Sequence, residues 1–178
     1  MYPEPYLEYL IQFHAERDYF ECHEILEEYW KSEPAQKRQQ VWVGLIQIAV
    51  ALYHHRRGNL NGAAKMLDSA IQILGKQQRE LKELGLDETA LMHLLEQRLD
   101  DLHHALPYQS MELPIASPSL RDRYQQACHQ RHLPESRSSD MTNEYLLNKH
   151  TLRDRQEVRE ERMRQLKLRE LSRRNGSE

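Results

Sequence analysis

Apolar residues recur at helical spacing through most of the chain. Tyr6, Leu7, Leu10 and Phe13 fall three or four apart and predict a first helix over residues 4–16. Asp18 is placed to cap a second, running to about Lys31, and Pro34 sits in the connection after it. A third helix is expected from about Arg38 to Arg57, with Gly58 just past its end. Asn59 or Asn61 caps a fourth, ending near Gly75, and residues 76–84 extend it or form a short fifth. Asp87 then opens a helix that Pro107 stops near Ala105, with Leu86 and Leu91 as its hydrophobic staple. The third helix is apolar almost all round, as a central helix should be.

Beyond Pro107 the pattern weakens. Pro107, Pro114 and Pro118 mark a wrap or linker over 107–134, with a short helix near Leu120–Gln130. Residues 134–140 read as a true linker, and Asn143 to Arg174 as a charged helical or partly disordered tail. The expected organisation is a bundle over 1–106, the wrap over 107–134 and the tail over 135–178. On this reading, deleting 135–178 leaves the melting temperature nearly unchanged.

Composition supports an all-α fold. Val, Ile and Thr number only 14 of 178 residues, which argues against a large sheet. Gly (6) and Pro (7) are scarce, and no Pro lies between Pro34 and Pro107. The 30% of charged residues is unevenly spread: residues 135–178 hold 20 of them, which leaves about a quarter charged in the first 134, an ordinary globular value. Cys22 and Cys128 fit no CxxC pattern, so a reducing compartment is the default and a cytoplasmic location is expected. Val41–Tyr53 is the longest apolar stretch, 13 residues interrupted by Gln47, against the roughly 20 that a membrane span needs. The net charge of −3 does not favour nucleic acid as a partner. The tail from Lys149 to Arg174 is basic, with pairs such as Arg153–Glu157, Glu160–Arg164 and Glu170–Arg174 along a solvated face, and is a candidate arm for docking a protein partner.

Polar residues inside apolar faces carry the candidate chemistry. At about 100° per residue, His23 and Glu27 fall among Tyr19, Phe20, Leu26 and Trp30 on the second helix, whereas Glu21, Glu24 and Glu28 fall to the flank and solvent side. A carboxylate on a buried stripe needs a partner, and His23 and Glu27, four apart, can serve each other. The third helix places Gln40, Gln47 and His54 along one face beside Gly44 and Ala51, a small-residue face open to close approach by a neighbour bringing polar atoms. An antiparallel pairing about residue 35 sets His23 level with Gln47, and His54 roughly 10 Å further along the axis.

Two readings stay open. A His–Glu pair on one helical face offers nitrogen and oxygen ligands to a divalent metal, Zn ahead of Mn, Fe or Ni. The candidate ligands are His23, Glu27 and His54, with Gln47, Glu24, Trp30 and Asn59 as supporting polar groups and His14 as a further addition. The bland reading is a hydrogen-bonded network that fixes helix register. The segment His23-Glu24-Ile25-Leu26-Glu27 approaches the HExxH zinc-protease pattern but has Glu27 where that pattern has its second His, so its chemistry does not transfer. His54, His55, Arg56 and Arg57, like His103 and His104, read as cations complementing the dipole at a helix end.

Together, Phe20, His23-x3-Glu27-x2-Trp30, Gly44-Leu45-Ile46-Gln47 with Ala49 and His54, Gly58-Asn59 and Gly62-Ala63 resemble the bacterial and archaeal domain-of-unknown-function family 309. The opening from Met1-Tyr2-Pro3 to Phe20-Glu21-Cys22-His23-Glu24 looks like members from Bacillus-type bacteria. The resemblance covers roughly 8–105 and leaves the tail after Pro134 outside. It implies a small all-helical fold in which H-x3-E-x2-[W/Y] is regarded as a metal site, and it brings no substrate. The expected function is a His/Glu metal site, with metal-assisted hydrolysis the natural reaction class; the alternative is a non-catalytic interaction module with a structural polar network.

Overall fold

A computed structural model describes residues 2–152. Its helices are α1 (Glu4–Ile11), α2 (Tyr19–Ser32), α3 (Gln40–Arg56), α4 (Leu60–Leu74), α5 (Gln78–Glu83), α6 (Glu88–His103), α7 (Pro118–Gln130) and α8 (Glu144–Leu152). Among the described residues extended pairing is limited to one bridge, Leu86 with Ile115, so the fold is all-α. No described helix is long and apolar enough to cross a membrane.

Side-chain caps set several helix starts. Asp18 accepts from the Glu21 amide, Asn59 from Gly62, Asp87 from Ala90 and Ser117 from Leu120, each satisfying a donor that the first turn would otherwise leave unpaired. Gly58, at φ 76°, takes the left-handed conformation that turns α3 into α4. The first element departs from its expectation. The helix predicted over 4–16 is α-helical only to Ile11; Gln12–Glu16 form a π-turn, closed by Asp18 N–H to Gln12 O and by Arg17 at φ 56°. The wider turn lets three consecutive residues, Phe13, His14 and Ala15, all be buried.

The core gathers on α3, whose Val41, Trp42, Leu45, Ile48, Ala49, Ala51 and Leu52 are buried. α1 crosses it, and the Tyr9 hydroxyl donates to the Leu45 carbonyl at 2.9 Å. α2 lies against it through Tyr29 on Trp42 (ring centroids 5.3 Å) and Phe20 on Tyr53 (6.1 Å). α4 makes the closest approach. A Cβ on Gly44 would stand 2.5 Å from Leu74 Cγ, so the absent side chain is what admits Leu74. The small residue at 44 therefore receives an apolar neighbour, not the polar one expected from the sequence.

Residues 2–147 form one compact unit, and Asn148–Leu152 fall outside it. The wrap and the segment expected as a linker thus belong to the bundle. Asp87 N–H donates to Pro114 O at 2.8 Å, and Ala116 N–H to Gly85 O at 2.9 Å. Arg137 N–H donates to His14 O at 3.2 Å. Sequence patterning misses this because the 134–140 segment attaches through backbone, hydroxyl and charged groups, such as Arg137 on Glu16 and Glu135 on Gln125, with no apolar stripe to recognise. The tail pairs from Arg153 to Arg174 lie outside the described residues.

Candidate metal centre

α2 carries His23, Glu24 and Glu27, whose side chains converge. Among the described residues they are the group of three His, Cys, Asp or Glu whose donor atoms converge, all within 4.8 Å of one another. The buried stripe of this helix is Tyr19, Cys22 and Leu26, each fully inaccessible. His23 and Glu27 sit at its edge, with side chains 30% and 36% exposed. The wheel gave their angles correctly, but the arc that meets α1 and α3 is rotated away from them. They carry little burial cost and remain open to small ligands.

Each donor atom has a distinct neighbour. His23 Nδ1 lies 3.1 Å from Glu24 Oε1, and His23 Nε2 lies 3.6 Å from Glu27 Oε2. The other oxygen of Glu27 is 2.8 Å from the ammonium of Lys31, one turn further on. The Phe20 ring covers one side of the imidazole, with centroids 6.3 Å apart.

The remaining candidates are distributed elsewhere. The two aromatic pairs that join α2 to α3 set an antiparallel register with His23 level with Ile48 to Val50. His54 then lies roughly 6–9 Å beyond His23 along the axis, at ~1.5 Å per residue, and is not a member of the converging group. Its Nδ1 is 3.1 Å from the Asn59 side-chain amide, so His54 and Asn59 tie the end of α3 to the cap of α4. Burial, followed by the charge of Arg57, lowers the His54 pKa. Gln47 Oε1 and Trp30 Nε1 are buried without a hydrogen-bond partner, and the Arg38 guanidinium stands 4.8 Å over the Trp30 ring. Burial pushes both the Cys22 and Cys128 thiols up, away from the reactive thiolate.

A second polar cluster had no counterpart in the sequence reading. Arg17 is 1% exposed and donates from every nitrogen of its guanidinium: Nε to Arg137 O (2.6 Å), Nη1 to Phe13 O (2.9 Å) and Met111 O (2.7 Å), Nη2 to Glu112 and to Ser136 Oγ (3.4 Å). His14 joins it, with Nδ1 2.7 Å from Glu112 Oε2 while Nε2 accepts from Leu113 N–H at 3.4 Å. Burial tends to raise the Glu112 pKa. The hydrogen bonds from His14 and Ser136 and the charges of His14 and Arg17 outweigh it and bring the carboxyl down to about 2. His14 is thereby committed to Glu112 and not to the α2 site.

Arg56 is the companion of Arg17. It donates from Nη1 to Arg17 O (2.7 Å) and from Nη2 to Leu146 O (3.0 Å), and its Cζ stacks 4.7 Å over Tyr19. His55 is buried too, with Nε2 3.0 Å from Leu106 O and its ring edge-on to Tyr108. Both residues lie in the last turn of α3, as cations complementing its dipole were expected to, but they are buried: His55 meets Leu106, and Arg56 meets Arg17, Ser139 and Leu146. The single sequence cue for Arg17 is a charged Arg17-Asp18 pair set between Phe13 and Tyr19, where a purely apolar junction would be the simpler choice.

Comparison with known proteins bears on the family. The model for a domain of unknown function (DUF309) matches residues 6–66, which contain His23, Glu27, Trp30, Gly44, Gln47 and His54. The chain is similar to the "Uncharacterized protein YpuF" of Bacillus subtilis (strain 168), with 44% identity over 173 residues, covering 97% of this chain and 99% of that protein. That likeness extends well past residue 105, where the resemblance read from the sequence stopped, and includes residues after Pro134. No solved structure matches. The family-model match and the 44% identity over nearly the full length agree, and the chain belongs to the family of domain of unknown function 309.

Proposed function

We propose that this protein binds a divalent metal ion through His23 Nε2 and Glu27 Oε2, Zn ahead of Mn, Fe or Ni. The observation that carries the reading is the 3.6 Å separation of those two atoms on an accessible helix flank. Two ligands bonded at ~2.0–2.2 Å to one tetrahedral ion stand about 3.3–3.6 Å apart, so the pair fits a shared ion. A nitrogen–oxygen donor set suits borderline metals. His54 is left out of the ligand set because it is engaged at the α4 cap. Catalytic zinc sites usually have three protein ligands and one open position; this pair supplies two, and the positions left over are open to solvent and substrate. Bound there, the ion would supply a water of lowered pKa, and hydrolysis is the reaction class we assign. A cytoplasmic location and a protein partner for the basic 149–174 segment complete this reading; they rest on the sequence alone.

The test is metal analysis of protein purified without a histidine tag. Stoichiometric metal that is lost in His23→Ala and Glu27→Ala supports the site. No bound metal, together with no thermal shift on adding Zn, Mn, Fe or Ni, overturns it.

The second reading, a non-catalytic interaction module, is favoured by two contacts: Lys31 already neutralises Glu27, and Glu24 already pairs with His23. In that case the two alanine variants change neither metal content nor any activity and shift stability by about 0.5 kcal/mol or less, as exposed pairs on a helix do.

A further inference from the structure

We propose that Glu24 is a positioning residue: its carboxylate holds the His23 proton on Nδ1 and so presents Nε2 beside Glu27 Oε2. This rests on the metal reading above and divides roles within that site. The two nitrogens of an imidazole point their lone pairs in divergent directions, so one ion meets one nitrogen, and the hydrogen bond at the other selects which. Two assignments are then open. Either Nδ1 and Glu24 face the ion, or Nε2 and Glu27 do.

Geometry separates them. The Nδ1–Glu24 contact of 3.1 Å is a hydrogen-bond length, and the Nε2–Glu27 contact of 3.6 Å is too long for one. The longer separation matches two ligands sharing an ion, as derived above. Residues four apart share a helix face, whereas neighbours diverge by about 100°, so Glu27 and not Glu24 is matched to chelation from one face. Lys31, at 2.8 Å from Glu27 Oε1, turns Oε2 toward the ring. The result is a carboxylate–histidine pair behind the ligand nitrogen, which fixes the ring and raises its basicity. The three converging residues therefore amount to two ligands and one orienting group.

The experiment reads the ring directly. Long-range nitrogen–proton NMR on the metal-free full chain reports which His23 nitrogen carries the proton. Zn affinity is measured in parallel by chelator competition for wild type, Glu24→Ala, Glu24→Gln and Glu27→Ala. We expect a protonated Nδ1 in wild type and in Glu24→Gln, whose amide oxygen still accepts, and a shift toward protonated Nε2 in Glu24→Ala. Zn affinity should fall about 10–100-fold in Glu24→Ala and return to within a few-fold in Glu24→Gln. A protonated Nε2 in wild type overturns the proposal. So does Glu24→Gln losing Zn as completely as Glu27→Ala, which makes Glu24 a ligand. A wild-type chain that takes up no Zn defeats the metal reading, while the tautomer of its metal-free ring still decides the role of Glu24. Equal melting temperatures of the metal-free variants show that the fold is kept; if Glu24→Ala melts early, wild type and Glu24→Gln decide.

Discussion

The guanidinium of Arg17 and the carboxylate of Glu112, 95 positions apart in the chain, meet at the junction of the π-turn and the wrap. Arg17 is buried and Glu112 is half exposed, so most of what the contact secures lies on the arginine side: three carbonyls whose acceptor needs no water meets. Arg17→Ala should destabilise the protein by at least ~3 kcal/mol in a denaturant titration. Arg17→Lys should recover less than half of that, because three donors on a flexible stem cannot reproduce a planar fork. Full stability in Arg17→Lys would show that charge alone matters there.

Glu112 gives this junction an acid limit. Its folded-state pKa is depressed from 4.5 to about 2. A depressed carboxyl contributes stability above its unfolded pKa and loses it as pH falls through the folded one. The stability difference between wild type and Glu112→Gln should therefore be constant above about pH 5 and shrink between pH 4.5 and pH 2. Melting temperatures over that range test it; a difference that persists unchanged at pH 2 contradicts the coupling.

The segment after Pro134 supplies acceptors to both buried arginines, through Arg137 O, Ser136 Oγ, Ser139 Oγ and Leu146 O. A chain ending at Pro134 should melt at least ~5 °C below one ending at Leu147, since several charged hydrogen bonds are lost at once. Equal melting temperatures would restore the linker reading that composition suggested.

Gly44→Ala tests the α3–α4 contact. Leu74 is fully buried and cannot swing out to solvent, so the added methyl should cost about 1–3 kcal/mol despite its better helix propensity. Adding Leu74→Ala in the same chain should cost less than the two changes summed, because the methyl fills part of the vacated space. Additive losses would mean that α4 shifts as a body instead.

Much of the bundle was legible because its signals are local. Asp18, Asn59, Asp87 and Gly58 mark helix boundaries through their own side chains or backbone, and α3 declares itself central by being apolar on nearly every face. The His23–Glu27 pair was legible for the same reason, as a spacing on one helix. Its exposure was not, because a helical wheel orders the residues without showing which arc the neighbours cover. Arg17 and Arg56 were illegible for a different reason. Burial of a guanidinium depends on acceptors far along the chain, and at Arg56 the general preference for cations in a last turn, though met, left those acceptors unforeseen.

The two arginines also impose an order on biosynthesis. Helices α1 to α4 are complete as sequence by Leu74, yet the acceptors for Arg17 and Arg56 extend to Leu146. While the ribosome is still making that stretch, Arg17 has Phe13 O and Arg56 has Arg17 O, but their remaining donors must be met by water. The bundle can gather early from the N-terminus, but it locks only when nearly the whole chain has been delivered.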